Sequence, residues 1–133
     1  MSHDQNQAID VALLYEAGLG RPYDTPGLNY WIHEADFVPL PEISYSLLVS
    51  NEFTAKFGPA YQIDTGSFVN DLYANVLGRP PEASGFNYWT FVLDSGQASR
   101  EDVLISFSQS HENVAQSPYV FSLHQVAPGY WDV

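Results

Sequence analysis

The chain has 133 residues, 45% of them hydrophobic and 15% aromatic, with 16 acidic against 4 basic side chains and a formal net charge of −12. That is material for one packed domain and excludes a wholly disordered chain. The absence of cysteine excludes a disulfide scaffold, a thiolate zinc site and a cysteine nucleophile. The acidity makes nucleic acid and anionic membrane poor partners, and no apolar run approaches the roughly 18 residues that a membrane-spanning helix needs.

In chain order, residues 1–7 carry no basic region and no apolar stretch, which is not the pattern of a classical signal peptide. Asp4 with Gln7 reads as a capping box ahead of Ile9, Leu13 and Ala17, which share one helical face. Gly20 and Pro22 stop that helix, and Thr25-Pro26 starts a second whose Leu28, Trp31, Ile32 and Ala35 lie together. Pro41-Glu42 opens a third helix with Ile43, Leu47 and Leu48, and Ser50-Asn51-Glu52 breaks into a short fourth. Asp64 or Thr65 caps the next helix, which runs through Phe68 and Tyr73. Phe86, Trp89 and Leu93 mark its successor, Ser99 with Asp102 caps another around Val103 and Phe107, and Ser110-His111-Glu112 breaks again. Alternating strand patterns and Asn-Gly turns are absent, so the expectation is an all-α bundle. After Ser117-Pro118 the helical pattern lapses. Pro128-Gly129, Tyr130 and Trp131 point to an extended tail folded over the helices or docked on a neighbouring molecule.

The chain repeats itself. Residues 14–31 and 72–89 align at a spacing of 58 and match in Leu, Tyr, Leu, Gly, Arg, Pro, Gly, Asn, Tyr and Trp, with Asp24 opposite Glu82. Such self-similarity points to two copies of one helical unit. With a short insertion in the second copy, Ile43, Leu47 and Ser50-Asn51-Glu52 answer to Val103, Phe107 and Ser110-His111-Glu112. A unit this small buries too little surface to stand alone. The expected organisation is therefore a single domain over residues 1–133, with repeats of three to four helices at about 5–58 and 64–117 and a tail at 118–133.

The pattern Leu-Tyr-x-x-x-Leu-Gly-Arg-Pro-x-(Asp/Glu)-x-x-Gly-x-Asn-Tyr-Trp, with the later Ser-x-Glu, resembles the bacterial domain-of-unknown-function family 4214. It is also similar to a motif of phycobilisome linker proteins and, more loosely, to the helical anchoring domains of surface-layer proteins that hold lipopolysaccharide. The resemblance implies a helical, non-enzymatic module of secreted or surface proteins, and hence an extracellular or cell- or particle-surface location.

Each motif residue has a structural expectation. Arg21 and Arg79 pair with Asp24 and Glu82 and cap the carbonyls that end the first helix of each unit. Gly20, Pro22, Gly78 and Pro80 shape the turn, and Gly27 and Gly85 let backbones approach. Tyr15, Tyr73, Trp31 and Trp89 supply core volume. The ligand-binding expectation rests on Asn29, Tyr30, Asn87 and Tyr88, with Asp24 and Glu82 beside them, as amide and aromatic groups suited to a sugar ring.

Other chemistry is weaker. Asp64-Thr65-Gly66-Ser67 imitates an aspartic-protease turn, but the stretch runs directly into a helix and has no twin in the chain. His3, His33, His111 and His124 lack ligand spacing, and Glu101-Asp102 suit a first helical turn. The acidity leaves room for calcium, yet no Asp-x-Asp-x-Asp-Gly loop is present, so no cofactor is expected. The functional expectation is binding of a bacterial cell-surface or extracellular polysaccharide. The alternative is a structural linker that docks another protein. The sequence sets no oligomeric state.

Overall fold

A computed structural model describes residues 5–133, so the Asp4 half of the first capping box lies outside the described residues. Helices make up 67% of what is described. In order they are α1 (Gln5–Leu19), α2 (Thr25–Glu34), α3 (Leu40–Leu48), α4 (Asn51–Phe57), α5 (Thr65–Leu72), α6 (Ala83–Asp94), α7 (Arg100–Ser108) and α8 (His111–Gln116). The last turn of α5 widens into a π-helical turn, Tyr73–Leu77, and a 3-10 turn, Pro118–Ser122, leads out of α8.

The caps follow the local chemistry. Asp24 caps α2 by accepting from Gly27 N, Ser50 caps α4, Asp64 caps α5 by accepting from Ser67 N, and Ser110 caps α8. Ser99 and Asp102 form a reciprocal capping box on α7. The protease-like Asp64-Thr65-Gly66-Ser67 is thus an ordinary helix start. Gly20 and Gly78 end their helices at φ 66° and 67°, a left-handed conformation that side-chain-bearing residues rarely adopt.

α1 is the central helix, with every residue from Val11 to Leu19 buried. It packs against α2, α3 and α7, and α3 and α7 also pack on each other. Helices from both sequence repeats therefore share one core, with Leu14, Leu28, Ile43, Leu48, Phe53, Phe68, Leu72 and Leu104 at its centre. Arg100 ties the connection between the repeats to α7 by donating to the carbonyls of Ala60 at 2.6 Å and Ile63 at 2.7 Å while lying over the Phe68 ring.

The tail folds back over the helices, and its extended part pairs with itself, which the sequence pattern did not indicate. After the 3-10 turn it forms an antiparallel hairpin of β1 (His124–Ala127) and β2 (Tyr130–Asp132), closed by Pro128-Gly129 with Gly129 at φ 73°. A proline-glycine turn and four residues on one side gave too short a pattern to read as strands. Val120, Leu123 and Trp131 are buried, so the tail is part of the core.

Candidate functional site

The repeated motif builds the same clasp twice. Arg21 makes a bidentate pair with Glu52, Nε to Oε2 at 2.6 Å and Nη2 to Oε1 at 3.1 Å, and reaches Asp24 at 3.4 Å. Arg79 pairs with Glu112 at 2.8 Å through both nitrogens and with Glu82 at 3.0 Å. Each guanidinium also donates to the carbonyl of the next proline, Pro22 or Pro80, and lies over a tyrosine ring, Tyr15 or Tyr73. The fork geometry and the ring stacking both call for arginine rather than lysine.

The electrostatics follow from this. The Arg21 and Arg79 forks hold the Glu52 and Glu112 carboxyls below their ordinary range. The Tyr15 hydroxyl, then Gly27 N–H, lower Asp24. Burial, then the bond to Asp24, raises the Tyr15 hydroxyl. Glu52 and Glu112 are the members that pattern reading missed as partners. The available signal was the repeated Ser-x-Glu, set 31 residues after one arginine and 33 after the other.

One expected role moves. The arginines do not cap the carbonyls that end α1. Lys56 Nζ donates to Leu19 O at 2.9 Å, and Asn75 Nδ2 donates to Ala17 O and Gly18 O at 2.9 and 3.2 Å. Arg21 is held by Glu52 instead, because a carboxylate fork is the stronger acceptor.

Gly27 and Gly85 have a clear steric reason. A Cβ at Gly27 would overlap the Tyr15 hydroxyl and crowd Asp24, and one at Gly85 would overlap Glu82 and the Tyr73 hydroxyl. Tyr15 and Tyr73 are buried as expected, but Trp31 and Trp89 are only half-buried. Each tryptophan takes its neighbouring tyrosine edge-on, Tyr30 to Trp31 and Tyr88 to Trp89, with ring centroids 5.0 Å apart.

The four proposed contact residues part company here. Tyr30 and Tyr88 are exposed. Asn29 is committed: its Oδ1 accepts from Trp131 N at 2.7 Å, and its Nδ2 donates to Trp131 O at 2.9 Å and to Thr25 O. Asn87, at the matching position, is exposed, and its side chain has no hydrogen-bond partner among the described residues. The tail that occupies Asn29 belongs to the first repeat's surface, and among the described residues nothing makes the matching bonds to Asn87 on the second.

The helices that carry these residues differ accordingly. α2 is covered by β2 and buries Leu28 and Ile32. α6 packs chiefly on α5 and fully buries only Val92. Phe86, Trp89 and Leu93 are half-covered, and Tyr88 and Phe91 stand 58% and 60% exposed. Clefts of about 160 Å³ beside Trp89 and Phe107 and about 210 Å³ between Glu16, Asn75 and Tyr119 fall below the range of about 300–1,000 Å³ usual for small-molecule sites. Two larger ones, about 330 Å³ between Asp10, Ala35 and Leu40 and about 450 Å³ along Asn70, Ala74 and Pro81, fall within it. Among the described residues no group of three or more His, Asp or Glu is placed to hold a metal, and no helix is long and apolar enough to cross a membrane.

The fold and the paired clasps define a small helical repeat module with one aromatic helix face left open. Residues 44–117, more than half of the chain, match the family model described as "Domain of unknown function (DUF4214)", and the chain belongs to that family. No curated protein and no solved structure matches it.

Proposed function

We propose that the protein is a non-enzymatic docking module that holds another protein in a secreted or surface assembly, with the open face of α6 as its contact. The observation that carries this reading is that α6 buries one of its twelve residues fully and leaves Tyr88 and Phe91 exposed beside a half-buried Trp89. Aromatic residues grouped on one face are typical of the anchors at protein interfaces. A second reading, the polysaccharide one, is favoured by the unpartnered Asn87 amide beside Tyr88. Asn29, its mate in the first repeat, is already engaged by the tail.

A photo-crosslinking residue placed at Tyr88 or Phe91 in the source cells tests both. The docking reading expects a discrete adduct that protease digests, formed from these two positions and not from Tyr45, which is exposed on α3. An adduct that resists protease and yields to glycan-cleaving enzymes would establish the polysaccharide reading. No adduct from either position would refute docking through α6.

A further inference from the structure

The first repeat already shows how this fold holds an extended polypeptide. The tail runs along α1 and α2. Ser117 Oγ and Tyr119 Oη donate to the two oxygens of the buried Glu16 at 2.9 and 2.5 Å, and the Tyr119 ring packs near Tyr23. Gln5 Nε2 donates to the carbonyls of Phe121 and Leu123. The Asn29 amide then brackets the main chain of Trp131, accepting from its N–H and donating to its C=O.

The matching path on the second repeat is open. Positions 58 residues on from Ala12, Glu16, Gly20, Pro22, Tyr23 and Asn29 are Asn70, Ala74, Gly78, Pro80, Pro81 and Asn87. Ala12 is fully buried, whereas Asn70 is exposed. Asn70, Ala74, Gly78, Arg79, Pro80 and Pro81 line a groove of about 450 Å³. Asn87, on the neighbouring α6, is exposed with its amide unpartnered among the described residues, and Phe91, one helical turn on, shares its face.

We propose that this α5–α6 path is a receptor for an extended segment of a different protein, bearing an aromatic residue flanked by basic ones, whose main chain Asn87 brackets as Asn29 brackets that of Trp131. The inference rests on the docking reading above and names its partner. Ala74 and Pro81 stand where Glu16 and Tyr23 hold the tail, so the occupant contacts the groove through apolar groups there. Charge selects the flanks. All four basic side chains are committed: Arg21 and Arg79 to carboxylates, and Lys56 and Arg100 to carbonyls. Asp71, which follows the groove residue Asn70 on α5, has no ion-pair partner among the described residues, and the chain carries a net charge of −12. A basic segment gains there what an acidic one loses. A second copy of this chain fits poorly. Its tail would leave Glu16 and Asn29 on its own molecule to enter a groove without those anchors, and two chains of charge −12 would meet.

The test is an amide-resolved NMR titration of the full chain with two synthetic peptides. One has the sequence of residues 117–133, and the other is the same peptide with two lysines added at each end. Saturable shifts are expected at the Asn87 side-chain amide and across residues 70–81. The lysine-bearing peptide should bind roughly tenfold more tightly at low salt, with the advantage lost at high salt. Asn87→Ala, which removes two main-chain hydrogen bonds to the peptide, should weaken binding by about thirtyfold, and Phe91→Ser should weaken it independently. Shifts confined to Asn29 and α1 would mean that the peptide only exchanges with the tail and would overturn the proposal. So would concentration-dependent self-association through the same residues, or no shifts at all. Protease-sensitive crosslinks from Phe91 alongside failed peptide binding would remove this occupant and leave the docking reading standing.

Discussion

Asn29→Ala and Asn87→Ala make the same chemical change at matching positions, and the structure separates their effects. Asn29→Ala deletes two part-buried hydrogen bonds to the main chain of Trp131, at 2.7 and 2.9 Å. At about 1 kcal/mol net each, and more where the abandoned N–H or C=O stays out of water, the loss is about 2–3 kcal/mol. In a domain of this size 1 kcal/mol moves the melting temperature by about 3–5 °C, so Asn29→Ala should melt about 6–15 °C lower. Asn87 is exposed and partnerless among the described residues, so Asn87→Ala should stay within about 0.5 kcal/mol of the parent. Paired thermal melts followed by far-ultraviolet circular dichroism decide it. Equal melting of the two variants would refute the assignment of the tail to the first repeat, and with it the claim that the second site is vacant.

Two further outcomes follow from the clasps. Gly27→Ala forces a methyl group into the Tyr15 hydroxyl and Asp24, and should destabilise by about 1–3 kcal/mol in the same melts; a neutral result would mean that Tyr15 is not locked against the α2 start. Acid should weaken the fold in a defined window. Glu52, Glu112, Asp24 and Asp64 are all lowered by partners they have only when folded, so the stabilisation they supply is complete above their ordinary values of 4.5 and 3.8 and is lost as pH falls through the lower folded ones. Asp71, raised by burial, works the other way and blunts the effect. Melting temperature should therefore hold steady from neutral pH to about 5 and then drop, and the drop should shrink in Arg79→Ala. An identical acid profile in that variant would show that the Arg79–Glu112 pair does not contribute.

Much of this molecule is legible along the chain because the information is local. Helix starts at Ser50, Asp64, Ser99 and Ser110 depend on a side chain reaching an N–H two or three residues away, the start at Thr25-Pro26 depends on a proline that needs no donor, and turns at Gly20 and Gly78 depend on one backbone conformation. The family could likewise be recognised from the spacing of Leu-Gly-Arg-Pro and Asn-Tyr-Trp, since the glycines, arginines and tyrosines of the clasp lie within one short stretch. What the residues could not disclose was who meets whom over long separations. Arg21 and Arg79 had nearer acids in Asp24 and Glu82, and only folding showed that Glu52 and Glu112 take the fork. The α1 carbonyls went to Lys56 and Asn75, whose place at that helix end depends on how the repeats pack. Above all, Asn29 and Asn87 share the same Gly-x-Asn-Tyr-Trp motif. The chain has one tail, its burial of Val120, Leu123 and Trp131 against α1 and α2 is a tertiary event, and that event closes one of two like surfaces and leaves the other open.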